Sequence, residues 1–559
     1  MSRFTAKGAG AYSAKETQRI KTSNSQSVYD AVIIGGGHNG LVAAAYLAKE
    51  GRRVLLLERR SVLGGAAATE EVFPGFRVNT GAGDAGLFLR QIVTDLQLRN
   101  YGLEFIESPV VTLALQPDGP PLALWRHPER AAEEIARFSE ADARRYPAFL
   151  SETTRYARIL AAIRTLAPPS LPKYRYGELL SWLPTALSIR RLGNRQMMAF
   201  LRILPMPVAD FLDEWFETSL LKAALGFSGV AGSMQGPRAS GTAFMFLYHA
   251  QGGREAIFRA SRFVRGGSGN LSDAIASAAR QNGAEICSDA GVARILIDGD
   301  RATGVLLEDG RQIACRVVIS GADPRHTFID LVGPAHLEVR FVRDVKNIKF
   351  RGSTARVNLA LSGLPDFSGL DRETGRDDLP ALLSGHILLC PQLDVLERAY
   401  DDAKYGRFSN QPCLDILIPT ILDASLAPPG HHLMSIDVRY APYRLKEGDW
   451  GVQREALGDR VVEALEAYAP NIRKLILHRQ VLTPLDYECQ YGLPEGSIYH
   501  GQMGLDQLFF MRPVPGYARY RSPFQNLYLC GSGAHPGGGV TGAPGYNAAR
   551  AILDDAKVT

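Results

Sequence analysis

The sequence lacks the patterns that would place a metal or a dithiol in an active site. Its six cysteines are widely scattered and no CxxC pair occurs, which argues against a thiol–disulfide redox centre and a cysteine zinc site. The eleven histidines show no HxxxH or HxH spacing. The adjacent residues His431 and His432 would point to opposite faces of a strand, so no metal site is expected. Buried, reduced thiols are the expectation for the cysteines.

Long apolar stretches are missing as well. No run of about 18 apolar residues occurs, so no transmembrane helix is expected. Residues 1–27 lack the apolar core of a secretory signal; they are rich in Ser, Thr, Lys and Arg, with Glu16 as the only acid. This composition predicts a disordered tail, and an organelle transit peptide is the alternative. We expect a cytoplasmic location with membrane association, or the mitochondrial matrix if residues 1–27 are a transit peptide.

A strand–turn–helix–strand unit is present near the start of the chain. Val28 to Ile34 (VYDAVII) has the composition of a buried parallel strand, and Leu41 to Glu50 that of a helix. Arg53 to Glu58 (RVLLLE) has the composition of a second strand. The spacing predicts a βαβ unit of about thirty residues, the connection that parallel strands require.

The turn inside this unit satisfies the GxGxxG pattern of dinucleotide-binding proteins. Gly35 permits the tight turn, Gly37 lets the backbone approach a pyrophosphate, and Gly40 allows the helix to pack closely on the strand. The helix N-terminus then offers free N–H groups to the phosphates. Glu58 ends the second strand, where a carboxylate can bind both hydroxyls of a ribose. The unit therefore predicts nucleotide binding.

A second glycine pair favours FAD over NAD. Gly64 and Gly65 follow the ribose carboxylate closely, so the chain can lie along the pyrophosphate and ribityl of a longer cofactor. Glu58 would also repel the 2′-phosphate of NADP, although Arg59 and Arg60 weaken that argument.

Further along, two more segments continue the same pattern. Strands are predicted at 284–288, 291–298, 302–308 and 316–320 after a helix at 271–282, and again at 526–530 before a helix from about Gly542. At 559 residues the chain is long enough for two domains. We predict an α/β protein with a Rossmann-like FAD-binding domain built from 28–115, 255–335 and 515–559. An α+β substrate domain, with a mainly antiparallel sheet and a helical cap, is expected at 116–254 and 336–514.

Several motifs together resemble one known family. GGGHNGLVAAAYLAKEGRRVLLLERRSVLGG near the start, VVISGADPRHT at 317–327, GSIYHGQMGLDQLFFMRPVPGY at 496–517 and LYLCGSGAHPGGGVTGAPGYNAAR near the end are similar to the phytoene desaturase-like FAD-dependent oxidoreductases. The resemblance covers residues 28–555. It implies FAD as the cofactor and a set of residues around it: Gly35, Gly37, Gly40, Glu58, Arg59, Gly64, Gly65, Val292, Gly531, Ser532, Val540, Thr541 and Gly542.

The resemblance also implies an activity. In similar proteins the flavin takes a hydride from a C–H bond of a hydrophobic polyene, isoprenoid or lipid-like substrate. The catalytic candidates are His500, Asp506 and Gln507; His249 is a weaker one, and His535 would position the cofactor. Structural hydrogen bonding is the alternative for His500 and Asp506. The competing functions are a redox-neutral polyene isomerase or saturase that uses reduced FAD, an amine oxidase, and a flavoprotein that mainly binds a partner.

A basic segment lies at 155–202, where nine basic residues face one acid, Glu178, in a chain whose net charge is only +5. Trp182 and several leucines lie between the charges. Basic amphipathic helices with Trp and Leu bind anionic membrane surfaces, so we expect peripheral membrane contact here. A solvated helical cap or a contact between copies of the chain in a homo-oligomer is the alternative. No nucleic acid partner is expected, because no recognised binding module accompanies the charge.

Overall fold

The computed structural model describes residues 28–169, 176–251, 257–370 and 378–557, with the backbone alone at 176–179. The predicted tail at 1–27 lies outside the described residues, as do Lys173, Arg175 and the glycine pair after His249. Within the described residues, no helix combines the length and the apolar character needed to cross a membrane.

The strands run in chain order as follows: β1 Tyr29–Ile34, β2 Val54–Leu57, β3 Thr69–Phe73, β4 Phe76–Asn79, β5 Phe105–Ile106, β6 Val110–Leu115, β7 Leu122–Trp125, β8 Phe263–Val264, β9 Glu285–Cys287, β10 Val292–Asp298, β11 Arg301–Leu307, β12 Gln312–Ser320, β13 Thr354–Leu361, β14 His386–Leu389, β15 Cys413–Leu417, β16 His432–Arg439, β17 Ile476–Leu482 and β18 Leu527–Leu529.

The α-helices of the described residues are α1 His38–Lys49, α2 Arg90–Asp95, α3 Pro128–Ala136, α4 Glu140–Ile163, α5 Tyr176–Arg190, α6 Gly193–Ile203, α7 Val208–Asp213, α8 Ser219–Gly226, α9 Thr242–His249, α10 Gly269–Gln281, α11 Val339–Lys346, α12 Leu379–Leu383, α13 Leu393–Lys404, α14 Trp450–Glu466, α15 Ile472–Leu475, α16 Pro484–Tyr491 and α17 Ala543–Asp555.

The first sheet confirms the predicted Rossmann-like unit. Five parallel strands lie in the order β18–β12–β1–β2–β9, so three distant chain segments form one sheet. Both faces of β1 and β2 are buried, as expected of parallel strands between helices. Helix α1 packs between α10 and α17, and this brings the N- and C-terminal segments together on one face.

The second sheet is mainly antiparallel, as predicted. Its order is β17–β13–β16–β15–β14–β6–β7, and β14 with β6 is its one parallel pair. The alternating runs at β13 and β16 pair along their whole length, from Thr354 opposite Arg439 to Leu361 opposite His432. The predicted helical cap is present as helices α3 to α9, whose buried side chains share a hydrophobic core with this sheet.

Two predicted domain limits differ from the structure. The sequence predicts Val110–Leu115 in the FAD-binding domain, but β6 pairs with β7 and β14 in the second sheet. The predicted substrate segment from 336 begins with α11, whose Phe341 and Val345 pack in the core of the first sheet. Apolar periodicity identifies a strand or helix but does not specify which of two cores it joins, and both corrections arise from this.

Candidate functional site

A cavity of about 460 Å³ opens beyond the carboxyl ends of β1 and β2. Ligands of open parallel sheets bind at this edge, where the turn after a strand leads into a helix. The turn after β1 lines the cavity through Gly35, Gly37 and Gly40. Gly35 has φ +94°, a left-handed conformation that favours glycine. The predicted fingerprint therefore forms a wall of the cavity.

The second glycine pair lies directly beside the first turn. Gly64 donates its N–H to the Gly36 carbonyl over 2.8 Å, and Gly37 and Gly64 form a parallel bridge. A side chain at Gly65 would lie 3.4 Å from the Gly37 Cα. The two glycine turns thus make one continuous backbone surface, which a long cofactor can approach from the side.

Glu58 is buried at the end of β2 and braces the first turn. Its Oε2 accepts the Gly36 N–H over 2.6 Å, and its Oε1 accepts the Arg60 N–H over 2.8 Å. The carboxylate also lines the cavity beside Val292, the first residue of β10. These contacts place the predicted ribose carboxylate and the predicted adenine-side strand at the same end of the site.

The C-terminal segment closes the cavity on the opposite side. Ser532 lines it, and the Asn39 amide of the fingerprint donates to the Ser532 Oγ over 3.2 Å. Gly531 packs against the turn after β12, because a side chain there would come within 2.5 Å of the Gly321 carbonyl oxygen. At the start of α17, a side chain at Gly545 would meet the Asn39 carbonyl oxygen. The site is therefore assembled from both ends of the chain.

Several polar atoms that belong to cavity-lining residues are buried without a hydrogen-bond partner. They are His38 Nε2, Asn39 Oδ1, Arg60 Nη1, Asp323 Oδ2 and His500 Nδ1. Buried polar groups are normally paired, because an unpaired one costs about 1–3 kcal/mol. Such a set of atoms around one cavity indicates a polar ligand that supplies the missing partners.

The two cavity histidines are held in their neutral form. Burial lowers the pKa of His38 to about 4. Burial, with the nearby charge of Arg512 and the neighbouring His38, lowers the pKa of His500 to about 3. His500 also has a left-handed backbone at φ +54°, a conformation that costs a non-glycine residue about 1–3 kcal/mol and concentrates at functional sites.

A buried arginine supports the C-terminal loop from beneath. The Arg512 guanidinium donates to the carbonyl oxygens of Tyr499, Gly501, Gln507 and Ser532. None of these acceptors is a carboxylate, and burial lowers the pKa of Arg512 to about 10. The positive charge of this guanidinium is therefore uncompensated by any acid of the described residues, which favours an anionic ligand nearby.

Most of the predicted cofactor residues line the cavity. These are Gly35, Gly37, Gly40, Glu58, Arg59, Gly64, Gly65, Val292 and Ser532, with His500 among the catalytic candidates. Val540, Thr541 and Gly542 lie behind the C-terminal loop instead. Thr541 Oγ1 accepts the Ala543 N–H, and Gly542 packs against Phe88 and Ile92. Their predicted contact with the flavin edge stays a prediction.

The structure does not bring Asp506 or Gln507 to this cavity. Both line a separate surface pocket, where Asp506 pairs with Lys349 Nζ over 2.6 Å and its side chain is 59% exposed. Gln507 exchanges hydrogen bonds with the backbone of Lys349. Nearness in sequence to His500 suggests both, but the chain turns away after Gly504 and directs these side chains to the segment before β13.

His249 and His535 are also set back from the cavity. His249 Nδ1 lies 2.7 Å from the Ser228 carbonyl oxygen, and its Nε2 lies 3.2 Å from the Tyr499 hydroxyl. His535 Nε2 contacts the Ile163 carbonyl oxygen at 3.2 Å, directly under the C-terminal loop. Both side chains act on the loop that carries the cofactor residues.

Residues that the sequence patterns do not single out complete the cavity. Asp323 comes from the GADPRHT turn after β12, and Tyr491 from the end of α16. The only signal for Asp323 in the sequence is that its segment matches the family motif. Tyr491 packs on Arg60 at 4.7 Å and gives no signal, because the two residues are distant in sequence.

Fold and site together define a dinucleotide-binding oxidoreductase. The family model described as an NAD(P)-binding Rossmann-like domain matches residues 33–83. The chain is 38% identical to "Pyridine nucleotide-disulfide oxidoreductase domain-containing protein 2" of Rattus norvegicus over 95% of this chain and 94% of that protein. The chain therefore belongs to the phytoene desaturase-like family of FAD-dependent oxidoreductases, in the branch that contains this relative.

More distant relatives and a solved structure agree with this placement. A limonene dehydrogenase polypeptide of Castellaniella defragrans is 27% identical, and a lycopene-forming phytoene desaturase of Paracoccus sp. is 25% identical, each over 94% of this chain and 94% and 96% of the relative. The structure of cyclohexylamine oxidase from Brevibacterium oxydans superposes with a TM-score of 0.56 at 17% identity, over 95% of this chain and 100% of that one. It shares the fold.

FAD is the cofactor of this family, and the cavity residues fit it. The glycine turns leave backbone N–H groups open to a pyrophosphate, and Glu58 can bind the adenosine ribose. The unpaired atoms of His38, Asn39 and His500 would meet the remainder of the cofactor.

Proposed function

We propose that this enzyme oxidises a C–H bond of an apolar substrate that it takes from a lipid surface. When bound, the flavin supplies N5 as the acceptor of the hydride. The observation that carries the proposal is a line of aromatic contacts from an exposed leucine-rich helix to the loop of the cofactor site. Limonene and phytoene, which name two of the relatives, are hydrocarbons and so fit the same substrate class.

The line of aromatic contacts begins on α5. The Trp182 ring meets Phe509 edge to face with ring centres 5.3 Å apart, and Phe509 meets His535 at 5.4 Å. His535 precedes the glycine loop 536–539. An apolar molecule that enters beside Trp182 would meet few polar groups along this line, since aromatic faces replace water there.

The wall behind the glycine loop is apolar as well. Tyr248, Tyr499 and Met503 belong to one buried cluster with Leu87 and Leu508. The Tyr248 hydroxyl donates to the Gly538 carbonyl oxygen over 2.7 Å, which satisfies the main polar group of that side chain. Such a wall would exclude water from the hydride transfer and orient an apolar chain.

Neutral His500 is the residue that we assign to the reacting end of the cavity. Its unpaired Nδ1 can accept or donate one hydrogen bond, depending on the tautomer. It would position a polar atom of the cofactor or substrate, and its depressed pKa keeps positive charge away from the site of hydride abstraction.

The surface around Trp182 has the character of a membrane-docking face. Leu180, Leu183 and Leu187 are 68%, 51% and 42% exposed at helical spacing on α5, and Met198 and Leu201 are exposed on α6. The exposed Arg190, Arg191 and Arg195 border this apolar surface. Apolar side chains bordered by cations complement the acyl region and headgroups of an anionic bilayer, so we assign a lipid surface as the partner.

The proposal is tested by anaerobic mixing of the FAD-loaded protein with terpenoid and polyene substrates in vesicles. Bleaching of the oxidised flavin by these substrates, with none from putrescine or cyclohexylamine, is the expected result. Bleaching by the amines alone would overturn the proposal in favour of an amine oxidase. Product that forms only after prior chemical reduction of the flavin would instead identify a redox-neutral isomerase or saturase.

A further inference from the structure

The turn after β12 carries a buried carboxyl group with one oxygen unpaired. Asp323 is fully buried, and its Oδ1 accepts the N–H groups of Arg325 at 2.8 Å and His326 at 3.0 Å. Its Oδ2 has no hydrogen-bond partner, and the residue lines the cofactor cavity. Local structure therefore uses only one of the two oxygens, and the second is free for a ligand.

The location of Asp323 narrows the part of the cofactor that it can meet. The preceding residue, Ala322, lies next to Gly35 of the pyrophosphate turn on one side and next to Gly531 of the C-terminal loop on the other. The following residue, Pro324, lies against Gly533, close to the His500 carbonyl oxygen. Asp323 thus sits between the phosphate-binding turn and the His500 end of the cavity. In FAD, the ribityl chain joins those two regions, and it carries hydroxyl groups.

We infer that Asp323 is a ligand of bound FAD, and that its Oδ2 accepts a hydrogen bond from a ribityl hydroxyl. A carboxylate is a strong acceptor for a hydroxyl donor, whereas next to a phosphate it would be repelled. The phosphates already have the N–H groups of the Gly35–Gly40 turn and the start of α1. Burial raises the pKa of Asp323 to about 6, which agrees with a carboxyl that lacks a partner until the cofactor arrives.

This inference rests on the cofactor and not on the substrate proposed above, so either can fail without the other. Asp323→Asn keeps an Oδ1 that can accept from Arg325 and His326, and it replaces the acceptor facing the cavity with an amide NH2. The matched control is Asp330→Asn: Asp330 lines the same cavity, but its side chain is 60% exposed and pairs with His326 at 2.9 Å.

The experiment is titration of the FAD-free full-length protein with FAD and, separately, with ADP, which contains the adenosine diphosphate half and no ribityl. We expect the dissociation constant of FAD to rise about tenfold or more in Asp323→Asn, the usual effect of losing a charge-assisted hydrogen bond. The dissociation constant of ADP should stay within about twofold. Asp330→Asn should leave both values near those of the wild type.

A thermal unfolding measurement separates a binding role from a folding defect. Because Asp323→Asn removes an unpaired buried carboxyl oxygen, the FAD-free variant should unfold at the same or a higher temperature than the wild type. Unchanged FAD affinity would overturn the inference. Equally weakened ADP binding, or tighter FAD binding, would place Asp323 at the phosphates and overturn it as well.

Discussion

Glycines of the fingerprint have different neighbours although they share one motif. A side chain at Gly37 would meet no atom within 4 Å, whereas one at Gly40 would lie 2.2 Å from the Gly35 carbonyl oxygen. Gly37 therefore keeps space open for the ligand, and Gly40 keeps space closed between strand and helix. The same substitution should have opposite consequences at these two positions.

We expect Gly37→Val to abolish most FAD binding while the FAD-free protein keeps its fold. The valine side chain would occupy the phosphate position, so the dissociation constant of FAD should rise about a hundredfold, and the unfolding temperature should change little. Flavin absorbance after gel filtration and thermal unfolding of the FAD-free protein measure the two effects.

Gly40→Ala is the matched control, because overpacking against Gly35 should cost about 1–3 kcal/mol of folding free energy. A stable, flavin-free Gly40→Ala variant, or a destabilised Gly37→Val variant, would contradict this division of roles.

Helices α5 and α6 carry the membrane prediction at the scale of elements. Arg191→Glu with Arg195→Glu reverses two charges on the docking face, and attraction to an anionic bilayer is worth about 1 kcal/mol per basic residue. We expect flotation with phosphatidylserine vesicles to fall at least about tenfold, while flavin content stays unchanged. Arg340→Glu with Arg343→Glu on α11 makes the same charge change elsewhere and serves as the control.

Retained flotation of the α5–α6 variant would reject docking through this face. Equal loss in both variants would point to net charge alone. A shift in sedimentation of the wild type that the substitutions remove, without any vesicle effect, would identify a contact between copies of the chain.

Elements built from contiguous patterns are predictable from the sequence, and their partners are not. The βαβ unit at β1, α1 and β2 follows from period, glycine and length alone, and so does the glycine cradle that lines the cavity. The affiliation of β6 and α11 depends on contacts with strands far away in the sequence, such as β6 with β14. The direction of Asp506 likewise depends on Lys349, 157 residues earlier in the chain.

Across the whole molecule, burial keeps a group of histidines neutral. It lowers the pKa of His38, His249 and His535 to about 4 each, and that of His500 to about 3. Between about pH 6.5 and 4, the unfolded chain binds protons at these positions and the folded protein does not, so stability falls as the pH falls. The raised pKa of Asp323 opposes this trend, but one carboxyl group does not outweigh several histidines.

We therefore expect the FAD-free protein to lose several kcal/mol of stability from about pH 7 to about pH 5, with about 2 kcal/mol per buried histidine. Urea unfolding at the two pH values measures it. His249→Gln should remove about a quarter of the difference, and the exposed His336→Gln none of it. A stability that is flat over this range would show that these histidines are protonated in the folded state.

The bond between Asn39 and Ser532 joins residues that lie 493 positions apart in the sequence. Synthesis at about 5–20 residues per second separates their appearance by roughly half a minute to a minute and a half. During that interval the nascent chain presents an exposed glycine turn with no opposite wall. Flavin capture thus becomes a late event that reports on completed translation, and a chain that is cut short before α17 leaves the ribosome colourless.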